Sequence, residues 1–220
     1  MEGPIPKEDA PFGAGFIDKY VDVGAPPYDK KMAEANREKY MTMKHTISEK
    51  MELYTCATKG KLDDLKHLLE EKGYSVAEEV SKAGHFWTVL HYSAHYGHME
   101  VIKYLVEDFM QSKDKAKESF EVKNDILNLQ TSCGKTPLFC AILSGDNKMD
   151  QKKEIIRMLF NTDMMNLQLR KESGEDLLQV ATKNSLYEFI VNSCLREDWM
   201  HWVIVFYACA ILVFLTRLFN

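Results

Sequence analysis

The chain has 220 residues, 45% of them hydrophobic and 28% charged, with a net charge of −5. That is the balance of a folded globular protein rather than a disordered one, and it lacks the basic excess of a nucleic-acid binder. Mean hydropathy is negative (−0.32), which leaves room for one lipid-embedded segment at most.

The opening stretch, MEGPIPKEDAPFGAGF, has neither the basic and apolar regions of a secretory signal nor the Arg-rich amphipathic character of a transit peptide. Residues 1–30 hold five of the six prolines and four glycines. Such a composition cannot bury a core of its own and predicts an extended arm. Phe12, Phe16, Tyr20 and Tyr28 are spaced along it as an arm pinned to a neighbouring surface would need, so they are candidate partner contacts. From Asp29 to Glu52, Met32, Ala35, Tyr40, Met43 and Ile47 recur among Lys and Glu with no breaker, the pattern of a helix. Residues 1–47 thus divide into an arm and a leading helix. A domain at 48–195 and a terminal segment at 196–220 follow.

Within that domain four stretches align with one another. They are LYTCATKGKLDDLKHLLEEKGY (Leu53–Tyr74), TVLHYSAHYGHMEVIKYLVED (Thr88–Asp108), NLQTSCGKTPLFCAIL…KKEIIRMLF (Asn128–Phe160, with an insertion) and NLQLRKESGEDLLQVATKNSLYEFIV (Asn166–Val191). Thr88 and Thr136 stand where helix N-caps are wanted. Pro137 falls in a first helical turn, where its missing N–H had no partner anyway. Ala57, Ser93, Ala94 and Ala141 are small enough to let two antiparallel helices approach. Gly60, Gly97 and Gly145 are placed to end the first helix in the left-handed region. Leu65, Leu68 and Leu69, then Val101, Ile102 and Leu105, then Ile155, Ile156 and Leu159 give each second helix an apolar stripe. No single unit could bury that stripe; stacking buries it between neighbours.

These stretches resemble the ankyrin repeat, with its G-x-T-P-L-H-x-A-A-x-x-G-H pattern. Gly134–Gly145 matches its turn and first helix, through Gly134, Thr136, Pro137, Leu138, Ala141 and Gly145. Thr88–Val106 matches for longer, through Thr88, Leu90, His91, Ala94, Gly97 and His98, with Val89 replacing the proline. The anchor leucines Leu53, Leu90, Leu138 and Leu178 are 37, 48 and 40 residues apart, against a family period of about 33, so each repeat carries an insertion. The resemblance covers residues 50–192. It implies an all-α ankyrin-repeat solenoid of about four repeats, the first lacking its turn and the fourth degenerate.

His91 and His95 lie four apart, a spacing that can ligate zinc, with His98 close behind. The resemblance implies instead that His91 and His98 are structural, bonding turns to their neighbours. Gly134-Lys135-Thr136 has the ending of a phosphate-binding loop, but residue 129, where that loop needs glycine, is Leu129. The segments 113–117 and 146–154 read as solvated, the latter as an insertion between the helices of the third repeat. Five scattered cysteines (Cys56, Cys133, Cys140, Cys194, Cys209) without a C-x-x-C pair argue against a disulfide framework or zinc module and for a reducing compartment. No spacing singles out a catalytic group, and no cofactor or metal is expected. The resemblance implies protein binding through turn tips and first-helix faces. The exposed candidates are Lys82, His85, Phe86 and Trp87 before the second repeat, then Gln130, Ser132 and Lys135 on the third turn.

The chain closes on HWVIVFYACAILVFLTRLFN. Trp202–Leu215 has no charge and no polar face, so it is not an amphipathic cap. Extended from Trp199 to Phe219 it is 21 residues, about 31 Å of helix against a hydrocarbon core of roughly 30 Å. Trp199 and Trp202 sit at one end and Phe219 at the other, where interfacial aromatic residues belong, with Phe206, Leu212, Phe214 and Leu215 between. A transmembrane helix is expected; a helix buried in an oligomer is the rival. Insertion is then post-translational, as in tail-anchored proteins, and the head stays in the cytosol or the mitochondrial matrix. The expected function is a non-enzymatic scaffold, built as an accessory subunit into a membrane complex, a mitochondrial one among the candidates. Its partners would be other protein subunits and the lipid bilayer, not nucleic acid. A free tail-anchored adaptor recruiting soluble partners is the alternative.

Overall fold

The computed structural model describes residues 27–40, 47–80, 85–109, 120–145, 148–162 and 165–193. Nine named helices run along them: α1 (Lys30–Tyr40), α2 (Ile47–Lys59), α3 (Leu62–Lys66), α4 (Val89–Tyr96), α5 (Met99–Lys103), α6 (Phe120–Asn128), α7 (Pro137–Leu143), α8 (Met149–Phe160) and α9 (Leu177–Lys183). A further helical stretch follows at 187–193. Helices α3 and α5 each continue into a wider π-helical turn, His67–Glu71 and Tyr104–Phe109. No strand occurs among the described residues.

The helices form two layers. In one, α4 packs between α2 and α7, and α7 packs on α9. In the other, α5 packs on α8, and α3, α5 and α8 pair with α2, α4 and α7 respectively. This is the stacked helix-pair architecture expected from the sequence. The second-helix stripes lie between the layers: Leu65, Ile102, Leu105, Ile155, Ile156 and Leu159 are fully buried, as are Ala57, Ser93, Ala94 and Ala141 where the layers approach. Each buried Leu or Ile contributes about 1.5–3 kcal/mol over its exposed state, so the stack is held by these stripes.

The helix ends follow local chemistry. The Thr136 side chain accepts from Phe139 N at 3.4 Å, and Pro137 takes the first helical position. Helices α2 and α4 close on Gly60 and Gly97, with φ of +67° and +78°. Gly145 does not do the same for α7. That helix stops at Leu143, and Ser144 leaves it with φ −57° and ψ 124°, so an extended step replaces the left-handed turn.

Residues 149–154 are also not the solvated insertion that their charge implied. They are the first half of α8, drawn into the stack by two contacts outside the helix. Gln151 Nε2 donates to Gly97 O at 2.6 Å, and Lys152, 8% exposed, donates from Nζ to Ile142 O at 3.3 Å. In the fourth repeat the anchor Leu178 is half-buried, and its neighbour Leu177 takes the buried place.

Helix α1 turns a different face inward from its periodic apolar residues. Met32 is 61% exposed and Ala35 is exposed, while Ala33 and Arg37 are buried. The surface beneath is made of turn carbonyls, which an arginine satisfies and a methionine does not. The expected membrane span, Trp199–Phe219, lies outside the described residues. Among the described residues no helix is long and apolar enough to cross a membrane.

Candidate protein-binding surface

The first-helix layer carries a row of rings across the first two repeats. Tyr92 and Tyr96 sit one turn apart on α4 with planes stacked at 6.4 Å. Tyr54 of α2 meets Tyr92 edge-on at 5.2 Å. Trp87, just before α4, lies 4.9 Å from Tyr92 and 5.5 Å from His95, and His95 is 5.1 Å from Tyr96. Tyr54, Trp87, Tyr92 and His95 are half-buried, and Tyr96 is 39% exposed. Burial, then Tyr54, Tyr96 and Glu79 nearby, pushes the Tyr92 phenol up to about 12. It therefore stays a hydroxyl that can donate. Trp87 backs onto the core, and its carbonyl accepts from Val80 N at 2.9 Å. Sequence reasoning missed Tyr54, Tyr92 and Tyr96, although the i, i+4 spacing of the last two on one helix face was a usable signal.

Beneath the row, the two aligned histidines tie repeats together. His91 is fully buried; its Nδ1 accepts from Thr88 N at 3.3 Å, and its Nε2 reaches Leu129 O and Lys135 O at 3.0 and 3.1 Å. Burial pulls its pKa down to about 4, against the opposing pull of the two carbonyls, so it is neutral at pH 7. His98 points the other way, with Nε2 2.8 Å from Thr58 O in the first repeat. His91 and His95 do not converge on a common point: the first is spent on backbone carbonyls, and the second lies among rings. Among the described residues no three His, Cys, Asp or Glu could hold a metal ion together.

At the turn tips the expected exposed residues are mostly engaged within the chain. His85 is exposed, and its carbonyl accepts from Ser132 N at 3.1 Å. Phe86 has φ +56°, donates its N–H to Glu79 Oε1 at 3.0 Å, and lies 4.4 Å under the Arg37 guanidinium. Gln130 Nε2 donates to Gly134 O and to Arg170 O of the next turn, both at 2.9 Å. Lys135 is half-buried, with its carbonyl accepting from Thr131 N at 2.9 Å. Ser132 is half-buried too, and Tyr28 donates its hydroxyl to Ser132 O at 3.4 Å. The Phe86 ring and the Gln130 amide are thus taken up within the chain, whereas Ser132 and Lys135 are engaged there through their backbone. Thr88, Leu90, Ala94, Gly97, Gly134, Thr136, Pro137, Leu138 and Ala141 are buried in the stack. Phe12, Phe16, Tyr20 and Lys82 lie outside the described residues.

Residues 53–160 match the family described as "Ankyrin repeats (3 copies)". A comparison with curated protein sequences gives no match. Among solved structures, the chain is similar to a chain in the crystal structure of the yeast ribosomal protein Rps3 in complex with its chaperone Yar1. The TM-score there is 0.53 at 21% identity, over 66% of this chain and 90% of that one. It is similar also to an ankyrin repeat domain from Acinetobacter baumannii AYE, with a TM-score of 0.50 at 20% identity, over 82% of this chain and 89% of that one. At such identities the likeness speaks for the fold alone. The family match, together with the two-layer stack and the left-handed glycines closing α2 and α4, identifies residues 53–160 as ankyrin repeats, helical throughout the described residues.

Proposed function

We propose that the chain is a non-enzymatic protein-interaction scaffold. Its repeat head is tethered to a membrane by the apolar stretch 199–219 and serves as an accessory subunit of a membrane complex, a mitochondrial one among the candidates. The aromatic row Tyr54–Trp87–Tyr92–Tyr96 carries this reading. Clustered Tyr and Trp side chains give large contact area for little lost rotamer freedom, and they dominate binding energy where they are found at interfaces. A solved structure of similar fold contains a chaperone bound to a ribosomal protein, which favours protein over small-molecule partners. The tether rests on composition: 21 residues from Trp199 to Phe219 with Arg217 as the only charge, near enough to one end to reach the interface.

A photo-crosslinking amino acid in place of Tyr96, in native membranes, tests the reading. The expected result is a covalent adduct with another protein and co-migration of both on native gels. Tyr96→Ala should weaken that association by roughly tenfold while lowering the unfolding temperature by only about a few degrees, because the ring is 39% exposed and lies at the edge of the row. A chain that forms no adduct and migrates only as a free monomer would overturn the subunit reading.

A further inference from the structure

One buried cation stands outside the aromatic row. Arg37 is 5% exposed on α1, yet it belongs to no ankyrin repeat. Its Nη1 donates to Gln130 O at 3.1 Å and Thr131 O at 3.0 Å, and its guanidinium plane covers the Phe86 ring at 4.4 Å. Two converging carbonyls and a ring face suit a planar, multiply donating cation. Phe86 is held for this contact in a left-handed conformation unusual for an aromatic residue, with its N–H fixed by Glu79.

The helix that delivers Arg37 is attached like a ligand rather than like a core element. Among the described residues the hydrophobic cluster begins at Leu53 and takes in nothing from α1, whose Ala33 is buried apart from it. Around Arg37, the Tyr28 hydroxyl on Ser132 O and the Lys39–Asp125 ion pair at 2.8 Å hold it, and both are polar. Arg37 Nε is buried without a partner, so the fit is incomplete. An 11-residue helix is marginal by itself, and Lys30 and Lys31 in its first turn oppose the helix dipole.

We infer that Phe86 and the Gln130–Thr131 carbonyls form an arginine-reading site, that α1 is a detachable ligand for it carried by the chain itself, and that a partner helix bearing an arginine displaces α1. The inference goes beyond the aromatic-row reading and does not depend on it, since the site lies on the turn tips.

Two measurements on the full chain test it. In hydrogen exchange, α1 amides should exchange faster than those of α4 and α7. Arg37→Ala should accelerate α1 by roughly tenfold or more and leave α4 and α7 unchanged. In anisotropy, a labelled peptide of residues 27–40 should bind the Arg37→Ala chain saturably and the unaltered chain roughly tenfold more weakly. The same peptide with its arginine replaced by alanine should bind neither. Exchange of α1 as slow as that of α4 and α7, or unchanged by Arg37→Ala, would place α1 in the core and overturn the inference. Equal binding by both peptides, or by both chains, would remove the arginine from it. Absence of saturable binding to the Arg37→Ala chain would remove displacement.

Discussion

His91 and His98 divide the work of joining repeats: one bonds forward to carbonyls of the third turn, the other back to Thr58 O. The forward bond has a pH signature. The folded protein holds His91 neutral, with its pKa pulled from 6.5 to about 4, so the unfolded chain binds the proton first. Stability is therefore full above pH 6.5 and falls as the pH drops from there toward 4, by about 3 kcal/mol in all. Carboxylates also titrate near the lower end, so a variant must isolate the histidine. His91→Gln keeps a side-chain amide near the same carbonyls but cannot titrate. Urea unfolding at pH 7.5, 6.5, 5.5 and 4.5 should show a steeper loss for the unaltered chain than for His91→Gln. Parallel losses would mean that His91 is not the group responsible.

The turns are the elements that set repeat spacing, and Gly134 is where two of them touch. A Cβ there would stand 2.8 Å from Glu172 N and 2.9 Å from Arg170 O, in a backbone with φ +75°. Gly73 has nearly the same φ, +74°, with nothing within 4 Å. Gly73→Ala should therefore cost only the backbone strain, about 1 kcal/mol, whereas Gly134→Ala adds a clash with immobile backbone and should cost about 3 kcal/mol or more. Paired denaturation curves check this, and equal losses would show that the turns can separate freely. Elements with local signals were legible in the sequence: α4 and α7 follow from Thr88, Gly97, Thr136 and Pro137, whose effects act within a turn of helix. The start of α8 was not legible, because its polar residues find partners outside their own turn: Gln151 on Gly97 O, Lys152 on Ile142 O and Lys153 over the Phe189 ring. Arg37 was hidden for a similar reason. Its binding site is made mainly of backbone carbonyls, which carry no residue-type signature, and the apolar periodicity of α1 pointed to the opposite face.

At the scale of the whole molecule, the repeat head carries a core of its own. Among the described residues the hydrophobic cluster runs from Leu53 to Ile190. The helical pair formed by α9 and 187–193 is bound to its neighbour by Leu177, Val180, Leu186 and Ile190, all buried, and by Arg157 lying 5.1 Å over the Phe189 ring. Removing residues 199–220 should thus leave the head folded, with an unfolding temperature unchanged within about 2 °C. The same deletion takes away 21 residues that match the thickness of a bilayer core, while the remaining chain is rich in charge. The shortened protein should therefore leave carbonate-washed membranes and appear in the soluble fraction, and the full chain should stay behind. Membrane retention of the shortened protein would show that the head itself, or its protein partners, provides the attachment. If the tether works alone, a host protein fused to residues 196–220 should become membrane-bound without any ankyrin repeat. Fusion and deletion together distinguish a lipid-spanning helix from one buried among protein subunits, because only the first carries its attachment to an unrelated head.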